Sequence, residues 1–426
     1  MNLISISVAV WSSLVGPQDQ LTLEEAIRIA ENNSFAIQIA ESNVIKTRER
    51  INEAASAAGL KLNAAGTYTR FDRATTENFG GSTVVVSPID QKQAQLTLTF
   101  PIDIFGTIRK AVAAARAAEK AQVENVETTR NDLRLSVRNA FFTVLQTRSQ
   151  VALFEESLSR AKAQLANARL EFEKGARARV DVLRFETQVS QAESDLLVSQ
   201  NALALAKNVF NNVLGRPIQT PFTLATPEQG VKPVPEPDNL VATALAKRPE
   251  IRFFEFQIRG LIEAKRYAEG GLKPSLSLNA VHTRNIDAQG FSARDSSTTG
   301  TLALNLPIFD GGLTRARVGQ AREDVRQAEL QFEQLKLGIS LEVRQALTNL
   351  ENADARLKVA ESQVALAQQT YDISLVRDKV GEGISLQVID AQTELTRAKT
   401  NLIAAQYDYH KAYAALQKAL GTDAIQ

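Results

Sequence analysis

Leu135-Ser-Val-Arg-Asn-Ala140 and Leu341-Glu-Val-Arg-Gln-Ala346 are two readings of one phrase, and they lie inside a much longer match. Phe100 to Gly215 recurs as Leu306 to Gly421 at a constant offset of 206 residues, with no insertion or deletion. Phe100-Pro101-Ile102 falls on Leu306-Pro307-Ile308, and both copies end in Leu-Gly. Loops drift in length, whereas rods lying side by side must agree. The pattern is a tandem duplication of a long helical rod in which length is itself constrained.

Outward from this core, each copy carries the same order: helix, strand, loop, strand, very long helix, tight turn, helix. In the first copy the pattern predicts a helix from Leu21 to about Ala58, capped by Thr22 or Asp19, with Glu24 and Glu25 favourable in its first turn. Strands follow near Leu60–Asp72 and Ala94–Ile104, separated by a polar loop. From Thr107 to Lys174 there is neither proline nor glycine, which predicts one continuous helix. At about 1.5 Å per residue it runs roughly 100 Å. A turn around Gly175 leads to a last helix over Val180–Leu214. The second copy repeats this as helix Leu240–Glu269, strands Pro274–Thr283 and Thr299–Phe309, and helices Leu313–Val380 and Ser385–Leu420. Laid end to end, the two shorter helices of a copy match the long one.

These readings divide the chain into repeat one at 17–215, repeat two at 240–421 and a short tail at 422–426. Half of the 12 prolines fall between Arg216 and Asp238, so 216–239 reads as an extended linker. Residues 1–16 have the apolar run of a secretory segment but no Lys or Arg before it. They are either a signal-peptide remnant or a truncated start.

The last helix of each copy carries a strict heptad. In repeat one the seams are Val182, Val189, Leu196, Leu203, Phe210 and Phe185, Ala192, Ser199, Ala206, Val213. In repeat two they are Val388, Leu395, Leu402, Tyr409, Leu416 and Ala391, Ala398, Ala405, Ala412, Ala419. Five heptads in succession imply left-handed, knobs-into-holes packing, with small residues permitting close approach. The strands have period two instead: Leu96, Leu98, Phe100 alternate with polar neighbours, as do Leu276, Leu278, Ala280 and Leu302, Leu304, Leu306. That suits a half-buried soluble sheet or a membrane barrel. Four strands do not close a barrel, and open edges are not viable in lipid, so a membrane reading requires several chains to pool their strands. Phe100, Phe105 and Phe309 cluster where strand gives way to helix, the place of an interfacial aromatic girdle.

Composition narrows the function classes. Forty-nine basic against 48 acidic residues leaves no field suited to nucleic acid. With no cysteine there is no disulfide frame, thiolate metal site or cysteine nucleophile, and His282 and His410 are far apart in sequence. No phosphate loop, metal-ligand spacing or nucleophile–base arrangement is present, so no catalytic residue, metal or cofactor is expected.

The chain resembles the TolC family of outer-membrane efflux and secretion channels over essentially its whole length. The residues that carry the likeness are Leu21-Thr-Leu-Glu-Glu-Ala-Ile27, Arg248-Pro249-Glu250, and the junctions Phe100-Pro-Ile-Asp-Ile-Phe-Gly106 and Leu306-Pro-Ile-Phe-Asp-Gly-Gly312. Twin tip signatures add to them: Phe172-Glu-Lys-Gly175 through Asp181-Val-Leu183, and Val380-Gly381 through Gln387-Val-Ile-Asp390-Ala-Gln. The resemblance implies a mainly α protein with a small β portion: a protomer of a long antiparallel coiled-coil α-barrel giving four transmembrane strands to an oligomeric β-barrel. It also implies a homotrimer in outer-membrane lipid, reaching across the periplasm to a periplasmic adaptor and an inner-membrane transporter. The competing reading is a soluble periplasmic coiled-coil adaptor or scaffold.

By the same resemblance Asp390 matches an aspartate ringing the constriction, while Gln387 stands where the family often has a second one. Three copies of Asp390 would favour cations. The alternative reading of Asp390 and Asp181 is a carboxylate near a helix N-terminus, favoured by the dipole. The repeat-one tip is basic (Lys174, Arg177, Arg179, Arg184) and the repeat-two tip is rich in acids (Asp378, Glu382, Asp390), with Arg377 and Lys379 among them. Exposed ion pairs between the tips, worth at most about 1 kcal/mol each, would then hold a closed state. Gly175, Ala176, Arg177, Gly381, Glu382 and Gly383 form the tip expected to meet the adaptor.

Overall fold

In a computed structural model the chain is described over residues 20–225, 239–286, 294–380 and 384–422. Residues 1–16, most of the proline-rich linker, Asp19, Gly381, Glu382, Gly383 and the end of the tail lie outside the described residues.

Helix α1 (Leu23–Asn33) starts at a capping box. The Glu25 N–H donates to Thr22 Oγ1 at 3.2 Å and the Thr22 N–H donates to Glu25 Oε2 at 3.1 Å, satisfying two otherwise orphaned donors. The expected single helix to Ala58 is in fact two. Ser34 is extended, and its Oγ accepts from the Ile37 N–H to begin α2 (Phe35–Ser56). The Asn32-Asn33-Ser34 run supplies the local hydrogen-bonding side chains that compete with a helix interior. The same correction applies in repeat two. Arg248 precedes Pro249, whose ring disfavours helical backbone before it, so α5 (Leu240–Lys247) and α6 (Pro249–Ala268) are separate. A short 3-10 turn, Glu269–Leu272, follows α6.

The long helices have the expected extents: α3 spans Thr107–Glu173 without glycine or proline, and α7 spans Leu313–Lys379, running through Gly319 and Gly338. Their partners are α4 (Arg179–Val213) and α8 (Ser385–Leu420).

The strands are β1 (Lys61–Arg70), β4 (Asp90–Ile102), β5 (Ser275–Ile286) and β6 (Ser296–Asn305), antiparallel in the order β1-β4-β5-β6. The loop expected between the first two is instead a hairpin, β2 (Thr75–Phe79) with β3 (Ser82–Ser87), turned by Gly80 and Gly81 at positive φ. Strand β6 stops at Asn305, short of the expected Phe309, because Pro307 has no N–H to continue a ladder.

The described chain gathers into two compact units. One contains the residues up to Ile39, Glu127–Arg248 and those from Lys336 on; the other contains Ala40–Val126 and Pro249–Leu335. In the first, Phe141, Leu145, Phe210 and Leu214 are fully enclosed with Ala26, Ala30 and Leu224. The seam residues of α4 and α8 point into such packing: Val182, Phe185, Ala192, Ala206 and Phe210 are buried, as are Val388, Ala391, Leu395, Ala398, Ala405, Tyr409 and Leu416. No helix among the described residues is long and apolar enough to cross a membrane.

Candidate functional site

Two regions carry the candidate chemistry, and they lie in different units. The first is the tip, where α3 turns into α4 and α7 approaches α8. Gly175 takes φ +73°, and the Ala176 N–H donates to the Glu171 carbonyl at 2.9 Å, reversing the chain in the left-handed conformation glycine adopts without penalty. That turn presents Arg177 to repeat two. Its guanidinium donates to Glu171 Oε2 at 2.6 Å, to Asp378 Oδ2 at 2.7 Å and to Ser385 Oγ at 2.5 Å, and it lies 5.6 Å from the Phe185 ring centre.

Here the expectation of exposed ion pairs is corrected. The Arg177 side chain is 9% exposed and Asp378 is 14% exposed, so this pair is partly buried rather than exposed. Burial alone would weaken the Arg177 charge, but the Asp378 and Glu171 carboxylates override it and hold the guanidinium more firmly protonated than usual. Charge-assisted bonds of this kind are the strong ones.

The other tip residues behave differently. Arg184 does not reach repeat two; it lies 3.5 Å from Asp181, one turn back on its own helix. Asp390 and Gln387 project from the first turns of α8 and are exposed, and among the described residues Asp390 has no hydrogen-bonding or ionic partner. Ala176 is exposed. Gly381, Glu382 and Gly383 are outside the described residues.

Behind Arg177 runs a series of polar contacts that sequence reasoning missed. Gln164 Nε2 donates to Tyr371 OH at 2.9 Å, Gln392 Nε2 donates to the Ser157 carbonyl at 3.3 Å, and Ser149 Oγ lies 3.1 Å from Tyr407 OH. Each joins α3 to a helix of repeat two. Their only sequence signal is polarity on otherwise apolar faces, and it identifies no partner until the register between the repeats is known.

The second region is the sheet. Its register aligns Leu62, Leu98, Ala280 and Gly300 across the four strands; Phe100, Leu278 and Leu302 form the next row, and Ile102, Leu276 and Leu304 the one after. All of these share one face, while Thr97, Asn279 and Thr301 lie on the other. On the apolar face Leu62, Phe100, Leu278, Leu302 and Leu304 remain exposed. Phe105 and Phe309 flank the strand ends and are exposed too, Phe309 at 86%. His282 belongs to the sheet, its Nδ1 2.9 Å from Thr298 Oγ1. His410 is stacked on Phe142 at 5.0 Å. Among the described residues there is no cluster that could hold a metal ion.

Comparison with known proteins agrees with this geometry. The profile of the outer membrane efflux protein family matches residues 26–216 and 240–422. The outer membrane efflux protein BepC of Brucella suis is 28% identical over 315 residues, covering 74% of this chain and 68% of BepC. The outer membrane protein TolC of Escherichia coli is 24% identical over 439 residues, covering 99% of this chain and 85% of TolC. The fold matches the crystal structure of CusC with a TM-score of 0.83 at 20% identity, over 95% of this chain and 93% of that one. The chain belongs to the outer membrane efflux protein family. It is an efflux duct of the outer membrane extending into the periplasm, not an enzyme, and it works with efflux-pump components.

Proposed function

We propose that this chain forms a homotrimeric exit duct in which three copies of the β1-β4-β5-β6 sheet close one barrel in the outer membrane. The observation that carries this reading is a sheet with one apolar face and two strands, β1 and β6, each paired on one side only. A single copy leaves both edges open, and in lipid every backbone group must be satisfied internally. Three copies supply twelve strands, an even number within the range of membrane barrels. In this reading Phe100, Phe105 and Phe309 sit at the membrane interface. The division into repeat one, linker and repeat two sets two rods per chain between the membrane and a common tip.

At that tip Arg177 acts as the closing element, tying repeat one to Asp378 and Ser385, and three exposed Asp390 side chains ring the aperture. Gln387 in place of a second carboxylate makes the ring weakly cation-selective. Asp181 and Arg184 form a local pair that shapes the first turn of α4. The turn at Gly175–Arg177, together with Gly381, Glu382 and Gly383, meets a periplasmic adaptor, which connects the duct to an inner-membrane transporter. The decisive experiment measures the mass of the purified oligomer and its planar-bilayer conductance. A three-chain particle that conducts is expected; a monomer without channel activity overturns the proposal.

A further inference from the structure

The offset of 206 residues turns each repeat into an internal control for the other, and away from the tip one difference coincides with a cavity. Near the start of α7, Arg322 and Arg326 flank Glu323, whose carboxylate lies 3.3 Å from Arg322 and 3.9 Å from Arg326. The equivalent residues of α3 are Arg116, Ala117 and Lys120. Both cations are retained and the acid between them has become alanine. Among the described residues neither Arg116 nor Lys120 has an ion-pair partner.

Where the acid is lost a cavity of about 720 Å³ opens, within the range that holds small organic ligands. Its wall is apolar: Ile108, Val112, Ala113 and Ala117 from α3, Ala58 after α2, and the ring of Phe256 from α6. Helix α6 comes close because Gly260 faces α3; a Cβ there would meet the Ala114 carbonyl oxygen and Ala117 Cβ, each at 3.4 Å. That approach places Arg259 beside Arg116 and Lys120 around the cavity. Lys120 Nζ lies 5.7 Å and Arg259 Cζ 5.6 Å from the centre of Phe256, so the ring holds both cations at the edge of the apolar wall. The acids nearby are committed elsewhere. Asp103 takes the Arg109 backbone N–H, Glu263 is paired with Arg266 and Lys110, and Glu119 with Arg48.

We propose that this cavity binds an anionic amphiphile, with a phosphate or carboxylate head on Arg116, Lys120 and Arg259 and an acyl chain against the alanines and Phe256. The head takes the place that Glu323 fills in repeat two. Cations at the edge of an apolar wall discriminate in favour of a ligand carrying both parts, since a free anion leaves the wall wet and a neutral chain leaves the cations unpaired. The cavity starts at the β4–α3 junction, where Asp103 and Ile108 line it, so a membrane lipid and an exported amphiphile can both supply the chemistry.

The test titrates the purified oligomer in dodecyl maltoside with dodecyl phosphate, followed by native mass spectrometry and calorimetry. The expected result is one saturable site per chain, weakened about tenfold by Arg116→Gln with Lys120→Gln and unchanged by Arg322→Gln with Arg326→Gln. Both pairs of positions are exposed, and an unchanged oligomer mass and unfolding temperature verify that each variant is folded. Displacement of dodecyl phosphate by phosphatidylglycerol identifies a membrane lipid as the source, and no displacement identifies a soluble amphiphile; either supports the site. Absence of saturable binding, equal weakening by the two variant pairs, or equally tight binding of inorganic phosphate overturns it. Binding is measured independently of conductance, so its failure leaves the duct assignment intact.

Discussion

Gly421, just beyond α8, lies so close to Arg248 that a Cβ on it would stand 3.1 Å from Arg248 Cγ and 3.2 Å from its Cα. The same relationship holds in repeat one, where a Cβ on Gly215 would fall 2.9 Å from Asn33 Cβ. In both repeats the residue at the break between the two short helices covers the end of the last helix. Asn33 Nδ2 donates to the Leu214 carbonyl at 3.2 Å, and Arg248 reaches toward the Ala419 carbonyl at 3.5 Å. The break between the two short helices is therefore what satisfies the carbonyls left over at a helix C-terminus.

Substitution of these glycines carries two penalties. Both have φ +66°, and both lack room for a methyl group. Gly215→Ala and Gly421→Ala are each expected to destabilise the fold by about 2 kcal/mol. Gly319→Ala, within α7 and facing open space, should stabilise it by roughly 0.5–1 kcal/mol. Thermal unfolding of the three variants checks the contrast, and a common direction of shift would sink the argument.

Removing the Glu342 carboxylate tests the same joint electrostatically. The Arg248 side chain is 5% exposed and pairs with Glu342, which also takes Lys418 at 3.2 Å. Glu342→Gln leaves a buried guanidinium short of its carboxylate and should cost about 2 kcal/mol, less than a fully buried pair because Glu342 is itself 40% exposed. Denaturant unfolding midpoints at neutral pH measure it.

At the tip, Arg177→Gln and Asp378→Asn should each raise single-channel conductance, and the double variant should add little to either. Arg177→Lys is expected to fall between, because an ammonium cannot span Asp378, Glu171 and Ser385 as the planar guanidinium does. Arg184→Gln, which breaks only a pair within α4, should leave conductance unchanged. Equal effects from Arg177 and Arg184 would remove the special role of the Arg177–Asp378 pair.

Acid should destabilise the unit containing His410 in two separate steps. Burial lowers the His410 pKa below the ordinary value of 6.5, so the unfolded chain takes up the proton first. Stability from keeping this ring neutral is complete above 6.5 and is lost as pH falls below it, through the folded-state value. For Glu342, burial alone would raise the pKa, but Arg248 and Lys418 lower it below the ordinary 4.5. Its contribution is therefore present above 4.5 and disappears only as pH falls through its lower folded value. His410→Phe should flatten the stability profile just below pH 6.5 and leave the more acidic step in place.

The parts of this fold legible in the sequence are those governed by local chemistry. The ends of α3, α7 and α8 follow from where glycine and proline occur, and the apolar face of the sheet from alternation in β4, β5 and β6. The β2–β3 hairpin was also written there, as Gly80-Gly81 beside the β-branched run Val84-Val85-Val86, but a polar flank concealed it. Ser34 and Arg248 were harder, because apolar spacing continues across both breaks. At the tip, the basic and acidic residues were recognisable, and Arg177 with Asp378 among them. Their partial burial was not, since it depends on how the turn at Gly175 aims one side chain at the far repeat. Ser385, Tyr371 and Gln392 required the cross-repeat register, which no single stretch of sequence contains.

The two open edges of the sheet have a genetic consequence. In the proposed barrel each copy would lend β1 to one neighbour and β6 to the other, so a defect in either strand would belong to a seam and not to a chain. One faulty copy would then open the whole barrel. In a cell expressing intact and edge-defective forms together, working ducts disappear faster than intact protein does, and an edge allele acts as a dominant one.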